Sequence, residues 1–137
     1  MLRTTYKKKA LNMKLQLLQT TAAVLRLEPR SQAPEWAFQS EFCSVTKTSE
    51  ELSIVCDQTK VPDSLSHEGN WSVIKVIGPL DFSLTGILAS IAGPLAQASI
   101  CIFAISTFDT DYILVKRDKL ANATNVLEKA GFSFPKS

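Results

Sequence analysis

The chain has 137 residues, of which 45% are hydrophobic and 20% charged, and a net charge of +2. That is enough chain for one compact domain or two small lobes sharing a core. The charge is too small to call for nucleic acid or an anionic membrane surface. No apolar run approaches the ~20 residues of a membrane span.

Residues 1–12 include Arg3, Lys7, Lys8 and Lys9 and no acid. They read as a frayed basic tail, with organelle import as the alternative. Without a secretory h-region after Met1, the expected location is the cytoplasm. Cys43, Cys56 and Cys101 lie far apart in apolar stretches, with no Cys-x-x-Cys. They read as buried free thiols rather than a disulfide framework or a metal site.

Lys14–Gln19 and Ala22–Leu27 read as two strands, the second closed by Glu28-Pro29. Arg30–Gln39 reads as a loop with a helical turn near Glu35–Phe38, from which Trp36 and Phe38 plug the core. Phe42–Thr46 and Leu52–Cys56 make a strand pair. Thr59–Asn70 is polar and joins two halves, and Pro62 is placed to open a helical turn. The expected divisions are a tail at 1–12, an N-terminal lobe with linker at 13–69 and a C-terminal domain at 70–137.

In the second half Trp71–Ile77 is a strand. A turn at Gly78-Pro79-Leu80-Asp81 leads into a helix from about Ser83 to Gln97, with Phe82, Ile87, Leu88, Ile91 and Leu95 at helical spacing. Gly93-Pro94 is expected to kink or break it. Ile100–Ile105 and Tyr112–Val115 form a hairpin around the polar turn Ser106–Asp111. Apolar residues fall at odd and even positions alike, so the hairpin is expected to be buried on both faces, with Phe103 in the core. Asp118 reads as an N-cap, and Leu120, Ala123, Leu127 and Ala130 as the buried face of a last helix. Gly131 fits the C′ position, and Phe132–Phe134 is one more short strand.

The second half therefore reads strand–helix–strand–strand–helix–strand, the ferredoxin-like order of an α+β fold. Cys43–Cys56 resembles Phe103–Val115: strand, hydroxyl-bearing turn with two acids, strand. With one residue skipped, Glu51 falls opposite Asp111. Two related lobes, the first degenerate, would then cover each other as an internal pseudo-dimer.

Gly78-Pro-Leu-Asp-Phe-Ser-Leu-Thr-Gly-Ile-Leu88 and Ile105-Ser-Thr-Phe-Asp-Thr-Asp-Tyr-Ile-Leu-Val115 resemble the ACT-domain family. They are most similar to its small stand-alone tandem proteins, related to the CASTOR arginine sensors. Ser-Glu-Glu-Leu-Ser-Ile-Val-Cys56 resembles the first-lobe hairpin of that group. The resemblance runs from about Lys14 to Phe134. It implies a non-catalytic regulatory module that binds a small molecule, often an amino acid, between paired units. It implies a ligand contact at Asp111, others from Thr107, Phe108 and Asp109 on the same turn, and from Asp81 and Phe82 in the loop Gly78–Gly86. The first lobe departs from the pattern, because its helical regions are short.

The residue chemistry is compatible with that expectation. A helix N-terminus near Ser83 offers N–H groups to a carboxylate. Asp81, Asp109 and Asp111 are acceptors for an ammonium or guanidinium. Each has a structural alternative: Asp81 as a helix cap, Asp109 in an Asx turn, Asp111 bonded within its own hairpin. His67, the only histidine, lies in the polar linker, and no nucleophile–base set can be built without it. No cofactor or metal is called for. The competing reading is a protein-interaction module with no metabolite, and a homo-oligomer fits either; an enzyme of unrecognised type ranks third.

Overall fold

Thirteen consecutive residues, Leu15–Leu27, form a single strand, β1. The expected break near Thr20-Thr21 does not occur. No Gly, Pro, Asn or Asp interrupts the stretch, and the two β-branched threonines suit an extended backbone. The computed structural model describes residues 13–78 and 86–135. The basic tail 1–12 and most of the expected loop, including Asp81, Phe82 and Ser83, lie outside the described residues.

The chain divides into two compact units, Gln19–Ser72 and the chain up to Leu18 together with the chain from Val73. The strands are β1, β2 (Ser44–Lys47), β3 (Leu52–Asp57), β4 (Glu68–Val76), β5 (Phe103–Ser106) and β6 (Asp111–Lys116). The helices are α1 (Ile87–Gln97) and α2 (Leu120–Lys129). Hydrogen-bonded neighbours run in the order β2-β3-β1-β4-β6-β5. The architecture is α+β with ferredoxin-like elements.

In the Gln19–Ser72 unit, β3 pairs antiparallel with β1 through Ala23↔Cys56 and Leu25↔Ile54, and with β2 through Ser44↔Val55. Ala23, Leu25, Ala37, Leu52, Ile54, Cys56 and Val61 form its core. The helical turn expected near Glu35–Phe38 is a short 3-10 turn, Glu35–Gln39. It buries Ala37 and packs Trp36 partly against the core, while Phe38 is 60% exposed. Phe38 is therefore not a plug, because this short turn has only one inward face. Pro62 opens a turn closed by Leu65 N–H on its carbonyl (3.0 Å). Strand β4 starts at Glu68, three residues earlier than expected. There Asn70 N–H donates to Gln58 Oε1 (2.5 Å). A Cβ on Gly69 would meet that same oxygen, so a larger residue there would push the Gln58 side chain aside.

In the other unit, Leu15, Ile74, Val76, Ile91, Leu95, Ile113, Val115, Ala123 and Leu127 make a core of strand and helix faces. The start of β1 belongs here. Ile77 N–H donates to Lys14 O (2.9 Å), and Leu15 N–H to Ser133 O (2.7 Å). The expected last strand is thus a single parallel bridge, Lys14↔Ser133.

Helix α1 begins at Ile87 behind Gly86, whose φ of 81° is not helical. It continues through Pro94 without ending. Proline removes only the bond to Ser90 O, and a fully buried Ile91 and Leu95 hold both sides of the gap to the core. Its C-terminus is a Schellman motif: Ile100 N–H donates to Leu95 O (2.9 Å) and Ser99 N–H to Ala96 O (3.0 Å). The same motif ends α2, with Phe132 N–H on Leu127 O (3.0 Å) and Gly131 N–H on Glu128 O (3.1 Å). Gly131 takes the left-handed position as expected, at φ 105°, whereas Ser99 takes it in α1 at φ 60°. Asp118 makes no side-chain cap; it lies within the 3-10 turn Arg117–Lys119 that leads into α2.

The hairpin is buried only in part. Ile113, Leu114 and Val115 of β6 are fully buried, but β5 ends the strand order. Phe103 is half-buried, and Cys101 and Ala104 are exposed. An edge strand has a neighbour on one side only, so apolar composition alone did not put β5 in the core.

Candidate functional site

The turn between β5 and β6 is closed by a threonine. Thr107 N–H donates to Thr110 O (2.9 Å). The Thr107 hydroxyl donates to the same carbonyl (3.0 Å) and lies 3.3 Å from Thr110 N–H as its acceptor. One hydroxyl can do both, having one proton and two lone pairs. Phe108 and Asp109 form the tip, and Phe108 is 79% exposed.

Thr110 turns the other way and is buried. Its hydroxyl donates to Val76 O at 2.6 Å. That bond ties the turn to the end of β4, where Ile77 and Gly78 lead toward residues 79–85. Asp111 follows as the first residue of β6, half-buried and paired across the ladder with Ser106. Four of the six expected site residues, Thr107, Phe108, Asp109 and Asp111, therefore share one turn. Asp81 and Phe82 lie outside the described residues.

The structural alternatives for the two carboxylates find no support here. Thr107, not Asp109, supplies the side-chain hydrogen bonds that close the turn. Among the described residues, the carboxylates of Asp109 and Asp111 have no hydrogen-bond or ion-pair partner.

The N-terminal hairpin repeats this turn. Thr48 N–H donates to Glu51 O (2.9 Å), and the Thr48 hydroxyl accepts from Glu50 and Glu51 N–H (both 3.1 Å). Thr48–Glu51 thus matches Thr107–Thr110 residue for residue. Glu51 stands in the place of Thr110, and Leu52 in that of Asp111. The sequence match that set Glu51 against Asp111 was one residue out of step, because the turn is fixed by its threonine rather than its acids. Leu52 is buried in its unit's core and offers no charge.

Sequence reasoning missed Thr110. Its signal was the spacing Thr107-x-x-Thr110, one hydroxyl to close the turn and a second to anchor it. Gly86 ends the expected loop Gly78–Gly86. It is the N-cap of α1, and its carbonyl accepts from Ser90 N–H (2.9 Å).

A family model described as an ACT domain matches residues 66–129, which covers α1, the hairpin, Asp111 and α2. Residues 66–129 are an ACT domain. A second model, described as an N-terminal domain, matches residues 21–64. Over 86 residues the chain is 42% identical to the human "Cytosolic arginine sensor for mTORC1 subunit 1", which is 57% of this chain and 26% of that protein. The chain thus spans about a quarter of the length of the curated relatives it matches first. The crystal structure of protein Atu0741 from Agobacterium tumefaciens is 37% identical with a TM-score of 0.85, over 90% of this chain and 92% of that one. The aspartate kinase of Clostridium acetobutylicum shares the fold at 14% identity and a TM-score of 0.61, over 82% of this chain and 33% of the enzyme. ACT domains are regulatory modules.

Proposed function

We propose that this chain is a non-catalytic ACT module that binds a free amino acid at the β5–β6 turn. The observation that carries the reading is the bond from Thr110 to Val76 O, which fixes Asp111 beside the end of β4. In this reading Asp111 receives the ligand's ammonium or guanidinium. Thr107, Phe108 and Asp109 flank it from the same turn, and Asp81 and Phe82 join the proposal on the sequence resemblance alone. The N–H groups at the start of α1 receive the ligand's carboxylate.

Arginine leads the candidates. Its guanidinium pairs with a carboxylate through two parallel hydrogen bonds, and a relative is named as an arginine sensor. That relative is also named as cytosolic, which supports the same location here. Among the described residues no helix is long and apolar enough to cross a membrane.

A thermal-shift screen of the full chain against the twenty amino acids tests the proposal. At a hundredfold excess over Kd, binding adds about 2.7 kcal/mol of stability. Arginine should raise the melting temperature, and Asp111→Asn should remove most of the rise. A screen in which no amino acid shifts the transition would overturn the reading.

A further inference from the structure

The N-terminal hairpin carries one cysteine just before β2 and another near the end of β3. Ser44↔Val55 and Lys47↔Leu52 set the register of β2 on β3, and that register carried one residue beyond the start of β2 sets Cys43 opposite Cys56. Thr48 N–H donates to Glu51 O, so the 48/51 pair is hydrogen-bonded. Antiparallel pairs alternate, which makes 44/55 hydrogen-bonded and 43/56 not. Asp57 agrees independently: its N–H points to the β2 side and donates to Ser40 Oγ (2.8 Å). The N–H of Cys56 must then point to β1.

In a non-hydrogen-bonded pair the Cα atoms are about 4.5 Å apart and the side chains lie close together. A disulfide spans Cα separations of about 4.4–6.8 Å. Both side chains meet the same core, Cys56 as a fully buried member and Cys43 packed against it. Cys43 is partly exposed. An external reagent therefore has one thiol to meet, and the buried thiol lies next to it.

We propose that Cys43 and Cys56 form a closable dithiol, oxidised to a cross-strand disulfide that staples β2 to β3. With a small disulfide such as oxidised glutathione, the Cys43 thiolate attacks one sulfur and releases the first glutathione. The Cys56 thiolate then attacks Cys43 Sγ and releases the second. Two protein thiols lose two protons and two electrons, and one glutathione disulfide becomes two glutathione thiols. The exposed Cys101 has no such neighbour in β5 or β6 and stops at the mixed disulfide.

The test uses the full chain and its Cys101→Ser variant, with oxidised glutathione in mildly alkaline buffer, because burial raises both hairpin thiols. Trypsin cuts at Lys47, between the two cysteines. The expected product of the variant is a monomer lacking two hydrogens, whose Cys43 and Cys56 peptides stay joined until reduced. Under the same conditions Cys101 of the unaltered chain takes up glutathione and reports that the reagent is active. The proposal fails if Cys43 keeps its glutathione while Cys56 stays free. It fails equally if Cys43 links two chains, or if both thiols survive conditions that modify Cys101.

Discussion

The hydroxyl of Thr110 donates to the carbonyl of Val76, 2.6 Å away and 34 residues earlier in the chain. Both groups are buried, so the bond is shielded from water. Thr110→Val keeps the shape and removes the donor, leaving a buried carbonyl without that partner. The expected cost is about 1–3 kcal/mol by urea unfolding. Thr107→Val, at the exposed end of the same turn, should cost about 0.5–1.5 kcal/mol. Equal losses would mean that Thr110 does not anchor the turn.

Ser99 sits at φ 60° in the Schellman motif of α1, the position that Gly131 fills in α2. An L-residue there carries about 1–2 kcal/mol of left-handed strain, part of which glycine returns as chain entropy. Ser99→Gly should therefore stabilise the protein by about 0.5–1 kcal/mol. A lowered melting temperature would show that the serine side chain contributes more than its backbone costs.

Core and edge should separate under truncation. Leu127 is fully buried between α2 and the sheet, and Leu127→Ala should cost about 2–5 kcal/mol. Phe103 is half-buried on the edge strand, and Phe103→Ala should fall below that range. Denaturant midpoints of the two variants, measured side by side, decide it.

That contrast marks how far the sequence could be read. The helical faces of α1 and α2, the hairpin turn and the Schellman glycine Gly131 all follow from local pattern, because local backbone chemistry sets them. Burial of β5 did not follow, since its apolar run looks the same whether a strand lies inside a sheet or at its edge. The unity of β1 was missed for a related reason: its polar Thr20-Thr21 stretch resembles a turn in composition but lacks turn-forming residues. At the site, the acids Asp109 and Asp111 were conspicuous. Thr110, which positions them, was not, because its partner Val76 is remote in sequence.

Burial pushes the Cys56 thiol from its ordinary 9.0 up to about 11, with the Cys43 thiol and the Asp57 carboxylate adding to it. The folded state thus holds this proton more tightly than the unfolded chain. The resulting stability is fully present below about pH 9 and is lost as pH rises toward about 11, by up to about 2–3 kcal/mol. The difference in unfolding free energy between the parent and Cys56→Ala should shrink over that window. A difference that stays constant would mean that Cys56 titrates as a free thiol.

The central claim is that Asp111 carries an amino-acid site on an ACT module. Calorimetric titration of arginine into the full chain and into Asp111→Asn tests it most directly. Asparagine keeps the side-chain shape and removes the charge. Affinity should fall by about 1.5–3 kcal/mol, roughly tenfold or more in Kd, while the ligand-free melting temperature stays within about a degree. Unchanged affinity with a lowered melting temperature would contradict the account and make Asp111 a structural residue of its hairpin.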